Sequence, residues 1–162
     1  MTVTTVEKDL EACTMTITTV FDAPVERVWQ IWSDPRQLER WWGPPTYPAT
    51  VVDYDLTPGG TVSYFMTGPE GDKHGGWWSV VAVAAPHRLE FDDGFGDTAG
   101  HANPDLPVMR IRVELSDAPD GTTQMRLETT FPSAQAMEQV LAMGMDEGMT
   151  AALGQIDPLL AA

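Results

Sequence analysis

Cysteine is almost absent from this sequence, since Cys13 is the single example among 162 residues. One cysteine excludes an internal disulfide framework and fits a reducing cytoplasm. The residue stands where a strand is expected to begin. That position favours a small buried hydrophobic side chain over a nucleophile.

Positive charge is also scarce. Nine Lys and Arg residues stand against 24 Asp and Glu residues, and the net charge is −15. An acidic surface of this kind repels nucleic-acid phosphate and anionic lipid. We therefore expect neither a nucleic-acid partner nor a membrane partner.

Long apolar runs are missing as well. The chain has no stretch of about 18 apolar residues that would suggest a membrane span. Its first residues, M-T-V-T-T-V-E-K-D-L, show neither the basic nor the apolar region of a signal peptide. Hydrophobic residues make up 43% of the chain, which argues against disorder. We expect one cytoplasmic domain over residues 1–162, with an ordered core of about 12–160.

The first part of the chain predicts one strand followed by two short helices. In residues 13–21, threonines alternate with apolar residues, the pattern of a half-buried strand. The sequence D-A-P then ends the strand and opens a helix, whose apolar stripe comprises Val25, Val28, Trp29 and Trp32. The next dipeptide D-P begins a second short helix, which we expect to end at the adjacent pair Trp41 and Trp42.

The middle of the chain predicts about six strands in an antiparallel meander. Four short runs, V-V-D-Y-D-L, T-V-S-Y-F-M-T, W-W-S-V-V-A-V-A-A and R-L-E-F, are separated by turn sequences, and two alternating segments follow at about 108–115 and 123–131. Short connections imply antiparallel neighbouring strands, each with one solvent-exposed face and one buried face. Residues 92–105 are rich in Gly and Asp, and we interpret them as a mobile lid with Phe95 as its apolar contact.

The last element is predicted to be one long helix. Ser133 is a favourable N-cap, and an apolar helical pattern continues to about Ile156. Gly144 and Gly148 lie one turn apart within it and leave room for a strand or for a guest molecule. Methionine is frequent at the predicted apolar positions, and its thioether adapts to irregular partners. The layout favours a curved antiparallel sheet around the terminal helix, with either a plain core or a cavity between them.

Catalytic and metal-binding motifs are not found. The histidines at 74, 87 and 101 stand in turns or loops, with no nucleophile at a motif spacing. The acidic residues of the 92–105 segment lack the spacing of a calcium loop, and one histidine does not make a zinc site. We assign no catalytic residue and expect no metal and no cofactor. Glu147 is the one carboxylate that we expect near the glycine gap, where it would orient a polar group on a guest.

Three segments resemble a known family. F-D-A-P-V-E-R-V-W, S-D-P-R-Q-L-E-R-W-W-G-P and D-L-T-P-G-G are similar to the family named for the activator of the ninety-kilodalton heat-shock chaperone's ATPase. That family belongs to the START-like, or SRPBCC, superfamily of helix-grip proteins. The resemblance extends over nearly the whole chain, from about Cys13 to Leu160.

The resemblance implies an α+β helix-grip fold, in which a curved antiparallel sheet wraps around a long C-terminal helix and encloses a hydrophobic cavity. We favour non-catalytic binding of a small hydrophobic or aromatic molecule, such as a lipid or polyketide. A polyketide cyclase or lyase that uses the same cavity is the first alternative, and it requires a buried polar pair, such as Glu147 with Tyr64 or His74. A chaperone-associated stress-response role is the second. Chaperone activation in the namesake depends on a preceding domain that we do not expect here, so a chaperone partner is not favoured; a homodimer is left open.

We expect the ligand site on the inner faces of the strands, the first helix and the terminal helix. One indole of the Trp41–Trp42 pair is expected to pack into the wall, and the other to cap the entrance. The predicted ligand-binding residues are Trp32, Trp42, Tyr64, Met66, Trp78, Phe91, Phe95, Met109, Ile111, Met125, Met145, Glu147 and Met149.

Overall fold

The computed structural model describes residues 3–161. Its elements are, in order, β1 (Val3–Asp9), β2 (Thr14–Phe21), α1 (Val25–Ser33), α2 (Pro35–Leu38), β3 (Ala49–Tyr54), β4 (Thr61–Thr67), β5 (Lys73–Ala84), β6 (Arg88–Gly96), β7 (Met109–Asp117), β8 (Thr123–Thr130), α3 (Ala134–Ala142), α4 (Met145–Leu153) and α5 (Ile156–Ala161). Among these residues, no helix has the length and apolar character needed to cross a bilayer.

All eight strands form one antiparallel sheet in the order β1-β2-β8-β7-β6-β5-β4-β3. The predicted six-strand meander is confirmed in β3 to β8, and β2 joins it by pairing with β8. The curved sheet buries alternate residues of strands β2 to β8 against the helices. The predicted helix-grip class is therefore confirmed, although three of its elements differ from the prediction.

The first difference is strand β1, which the sequence analysis missed. It pairs with β2 from Val3 opposite Val20 to Asp9 opposite Thr14. Its residues are exposed from position 5 onward, so it lacks the apolar alternation that reveals a half-buried strand. Cys13 lies in the turn before β2 with a φ of 58° and is only half-buried. The expectation of a fully buried cysteine at the start of a strand was wrong.

The second difference lies in the predicted lid. Residues 92–96 continue strand β6, so the connecting segment starts at Asp97. The two glycines in D-D-G-F-G favoured a loop, but Gly94 is required by packing. A Cβ at that position would collide with the ring of Trp77 on β5.

The third difference is the terminal helix, which is broken into α3, α4 and α5. Gly144 adopts a left-handed φ of 85° between α3 and α4. A glycine in this conformation typically ends a helix, since it can adopt positive φ without the penalty that a Cβ brings. The expectation of one continuous helix was therefore wrong. Helix α2 likewise stops at Leu38, and turns carry the chain on to Trp41 and Trp42.

Opposite faces of the sheet differ in character. The inner face contacts α1, which buries Val25, Val28, Ile31 and Trp32. The outer face of β6, β7 and β8 carries a ladder of ion pairs, of which the closest joins Arg110 Nε to Asp92 Oδ1 at 2.6 Å. Arg112 on β7 extends the ladder to Glu90 and Glu128. The ladder faces solvent and is separate from the inner face of the sheet.

Candidate functional site

A cavity of about 210 Å³ lies between the inner face of the sheet and helices α3 and α4, and it is open to solvent on one side. The sheet contributes Tyr64 and Met66 from β4, Asp93 and Phe95 from β6, and Met109 from β7. The helical layer and the segment after α2 complete it with Val140, Met143, Gly144, Met145, Gly148, Met149, Ala152, Trp42, Gly43 and Pro44. Nearly all of this surface is apolar.

The two glycines of the terminal region border the empty space. A Cβ built on Gly144 or Gly148 would meet no atom within 4 Å. No strand approaches them, so their missing side chains leave room in the cavity itself. A larger residue at position 148 would project into that room.

Methionine dominates the wall. Five methionines line the cavity, two from the sheet and three from the helical side: Met66, Met109, Met143, Met145 and Met149. Thioether side chains are flexible and polarizable, and they adapt to guests of different shape. The wall is therefore suited to a range of apolar molecules.

One polar pair lies in this apolar wall. The Tyr64 hydroxyl donates a hydrogen bond of 3.0 Å to Oδ1 of Asp93. Each side chain is only 8% exposed. Burial raises the pKa of Asp93 to about 7, and the hydrogen bond from Tyr64 opposes this shift. Burial, reinforced by the nearby Asp93, also raises the pKa of Tyr64 well above its ordinary value, so the phenol stays protonated.

The sheet register explains why this pair forms. Tyr64 on β4 stands opposite Gly76 on β5, and Gly76 stands opposite Phe95 on β6. A Cβ on Gly76 would overlap the Tyr64 ring, so the glycine lets that ring lie across β5. Asp93 belongs to the adjacent inward row, opposite Trp78. The tyrosine thus reaches across one strand to meet the carboxyl group.

Two indoles lie beside the pair. The buried N–H groups of Trp42 and Trp78 have no hydrogen-bond partner within the described part of the chain. Both lie close enough to the Tyr64 hydroxyl to lower its pKa, although burial outweighs them. They do not reach hydrogen-bonding geometry, so they act on that oxygen as nearby dipoles. The hydroxyl lies among two indole N–H groups and the carboxyl group that accepts its hydrogen bond.

An aromatic cluster fills the other half of the inner face. Trp78 stacks on Phe91 with ring centroids 4.0 Å apart, and Trp32 meets Trp41 edge-on at 4.7 Å. Trp42 contacts Trp78 at 5.0 Å and joins the cluster to the cavity. This half of the sheet is a closed core without room for a guest.

Both indoles of the W-W-G-P sequence are buried. Trp41 is fully buried and donates from Nε1 to the carbonyl oxygen of Ile31 at 3.0 Å, and it packs in the core without lining the cavity. Trp42 borders the cavity but is only 3% exposed. It forms part of the inner wall, so the expectation that it caps the entrance was wrong.

Seven of the thirteen predicted site residues line the cavity: Trp42, Tyr64, Met66, Phe95, Met109, Met145 and Met149. Five others lie in the closed core: Trp32, Trp78, Phe91, Ile111 and Met125. These five closed-core residues are buried, but they pack among α1 and the aromatic cluster and so do not reach the cavity. Trp32 donates from its indole to the sulfur of Met125 at 3.4 Å, which ties two of these residues together.

Glu147 is the thirteenth residue, and it is exposed on the outer side of α4. It borders a separate surface groove with Lys8 and Asp146, which form an ion pair of 2.6 Å. The break at Gly144 restarts the helix, so the residue does not face the interior. His74 is exposed too and contacts Asp72. The expected pairing of Glu147 with Tyr64 or His74 was therefore wrong, and Asp93 takes that role.

Asp93 is the polar site residue that the sequence analysis missed, because residues 92–105 were interpreted as a loop. Its signal was the continued alternation of Phe91, Asp93 and Phe95, which places all three on one face of a strand. A carboxylate at an inward position of an apolar strand is an unusual choice.

Comparison with known proteins identifies relatives of this chain. Residues 22–161 match the model of the family described as Activator of Hsp90 ATPase homolog 1-like protein. A solution structure from Arthrobacter aurescens is 48% identical with a TM-score of 0.92, covering 97% of this chain and 91% of its own. The crystal structure of Ms6760 from Mycobacterium smegmatis is 51% identical with a TM-score of 0.89, covering 98% and 97%. A Staphylococcus epidermidis protein is 28% identical with a TM-score of 0.83, covering 97% and 93%. Among curated proteins, none matches.

Proposed function

The chain belongs to the Activator of Hsp90 ATPase homolog 1-like family, and on that premise we propose that it binds a small hydrophobic or aromatic molecule in the cavity without converting it. Proteins of this family and of the SRPBCC superfamily commonly bind hydrophobic ligands. Family membership alone selects no ligand, since one fold serves many functions. The proposal therefore rests on the cavity.

The observation that carries it is the apolar space beside the two glycines. The volume of about 210 Å³ exceeds the ~150 Å³ of an apolar cavity that binds benzene. Trp42, Tyr64 and Phe95 offer aromatic surface, and five thioethers contribute much of the remaining wall. Binding sites for small molecules are typically concave, largely apolar and supplied with few polar groups.

Replacement of Gly148 by leucine tests this proposal. The new side chain projects into the cavity, where a Cβ meets nothing within 4 Å. Calorimetric titration with 2-naphthalenemethanol should show a dissociation constant at least about tenfold larger in G148L than in the wild type.

Ala151→Leu is the matched control. Ala151 lies on the same helix but is exposed and borders the outer groove, so the same bulk should leave the titration unchanged. Equal affinities in G148L and the wild type, or no binding of the neutral probe to the wild type, would contradict a cavity function.

A second candidate is a cyclase or lyase reaction in the same cavity, and the Tyr64–Asp93 pair is the observation that favours it. A carboxyl group with a pKa of about 7 suits general acid–base catalysis near neutral pH. Incubation with short poly-β-ketone thioesters, analysed by mass spectrometry for loss of water, distinguishes catalysis from binding. Turnover by the wild type that disappears in both D93N and Y64F would favour the enzyme.

A further inference from the structure

Asp93 contributes the only carboxyl group among the residues that line the cavity. Its Oδ1 accepts the hydrogen bond from Tyr64, whereas Oδ2 has no hydrogen-bond partner among residues 3–161. The residue is only 8% exposed, and it borders the cavity. A carboxyl oxygen without a protein partner at the wall of an apolar cavity can accept a hydrogen bond from a ligand that enters there.

The carboxyl group also lacks a counter-ion. The cavity lining includes no Lys, Arg or His from the described residues. The one titratable group that faces Asp93 is Tyr64 on β4; β5 presents Trp78, β7 presents Met109, and α3 and α4 present apolar side chains. An ionised carboxylate in such surroundings is costly unless a cation pairs with it.

The remaining wall is compatible with a cation attached to an apolar body. Trp42, Tyr64 and Phe95 line the same cavity as the carboxyl group, and aromatic faces attract ammonium groups that lose water on entry. The chain carries a net charge of −15, which attracts cations and repels anions at long range. A fatty-acid carboxylate would meet both this field and Asp93.

We propose that the cavity selects ligands that carry a protonated amine on an apolar or aromatic body, and that the Asp93 carboxylate receives the ammonium group. The inference rests on the proposed binding function and names its ligand class. Oδ2 of Asp93 accepts a hydrogen bond from the ammonium group, Oδ1 keeps its bond from Tyr64, and the hydrocarbon part of the ligand lies against the methionines. The ligand supplies the counter-ion that the wall lacks.

A matched series on one ring system tests the selection. The ligands 2-naphthylmethylamine, 2-naphthalenemethanol and 2-naphthoic acid differ only in the attached group, and calorimetry at about pH 8.5 and about pH 5.5 gives their affinities. At the higher pH, the amine should bind at least about tenfold tighter than the alcohol, and the acid weakest. At the lower pH, the amine should weaken by up to about tenfold per unit below the Asp93 pKa of about 7, because the proton competes with the ammonium group.

D93N provides the matched variant. Its amide keeps an oxygen for the Tyr64 hydroxyl but cannot carry charge, so the amine and the alcohol should bind within about threefold of each other. If D93N still binds the amine much more tightly than the alcohol, the assignment of Asp93 as the ammonium site is wrong. If D93N does not fold, the pH series on the wild type decides.

The outcomes separate the two proposals. If the alcohol binds to the wild type and the amine binds no tighter at about pH 8.5, the cavity function stands and the amine selection is wrong. Tighter amine binding at the lower pH would also overturn it, since a protonated Asp93 carries no negative charge and cannot be the counter-ion of the ammonium group. If none of the three ligands binds, both proposals are wrong.

Discussion

Asp93 and Tyr64 are the residues at which this protein departs most clearly from ordinary core packing. The carboxyl group lies in an apolar wall, and its hydrogen bond to the phenol stabilises it without supplying a charge. A hydrophobic residue of similar size would pack there without the desolvation cost. Stability of the fold therefore does not account for the carboxyl group, and the proposed ligand recognition does.

The pKa of Asp93 predicts an unusual pH dependence of stability. Burial raises it from 3.8 to about 7, so the folded state holds this proton more tightly than the unfolded chain does. The contribution of this proton to the free energy of unfolding is fully present below about pH 4, and it is lost as the pH rises through 7. Its size is on the order of 4 kcal/mol at most. The free energy of unfolding of the wild type, relative to D93N, should be lower at about pH 8 than at about pH 5.

Urea unfolding of both proteins at the two pH values measures this difference. Other carboxylates, such as Asp34, have lowered pKa values through hydrogen bonds and change stability in the opposite direction. They contribute equally to both proteins, so the comparison cancels them. If the free energy of unfolding changes with pH in the same way for the wild type and D93N, the pKa of Asp93 is not raised in the folded state.

At the scale of elements, the break between α3 and α4 determines the shape of the cavity. Gly144 turns the chain in the left-handed region, and Gly148 one turn later leaves the wall of α4 open. The two glycines border the same space but differ in backbone conformation. Gly144 is required because of its positive φ, whereas Gly148 matters because it leaves volume empty.

Alanine at these two positions should therefore have opposite effects on stability. Gly148→Ala removes a helix-destabilising glycine and meets no neighbour, so we expect a gain of about 0.5–1 kcal/mol. Gly144→Ala forces a Cβ into a φ of 85°, and we expect a loss of about 1 kcal/mol. Thermal unfolding of both variants measures the difference. Shifts of the same sign would show that backbone conformation does not distinguish the two sites.

The elements also show what the sequence could predict. Period-two alternation identified six consecutive strands, and the inward parity of Tyr64, Trp78 and Met109 was correct. Strand β1 was missed because an exposed edge strand carries little alternation. The helix break was missed because an apolar pattern continues through Gly144, while φ is a property of the backbone.

The site itself was harder to predict than the fold. The alternation along a strand indicates which residues face inward. It does not indicate which of these residues are packed against a helix and which border a cavity. Trp32 and Trp78 were therefore expected in the cavity, although they pack in the closed core. Asp93 could be predicted only by recognising that β6 extends through a glycine-rich sequence. That extension brings Gly94 into contact with the ring of Trp77.

At the scale of the whole molecule, the acidic charge opposes compactness. A net charge of −15 is confined to one small fold, and self-repulsion of this kind destabilises the folded state. The ion-pair ladder on the outer face of the sheet offsets only part of it. Salt shortens the range of repulsion more than it weakens partly buried pairs.

Stability should consequently increase with ionic strength. Between about 10 mM and 150 mM NaCl the Debye length falls from roughly 30 Å to 8 Å, and Tm should rise by about 2–4 °C for each kcal/mol of repulsion relieved. Differential scanning fluorimetry measures the shift, with sucrose at equal osmolality as the control. A Tm that falls with NaCl would indicate that local ion pairs outweigh the net charge.

The five thioethers around the cavity have a chemical consequence beyond packing. Peroxide converts methionine to a polar, chiral sulfoxide, and Met143, at 55% exposure, is the member most open to attack. Oxidation of Met143 would place a strong dipole at the rim of the cavity. Under the proposed binding function, an oxidised preparation would bind apolar ligands more weakly, and sulfoxide reductases would restore the affinity.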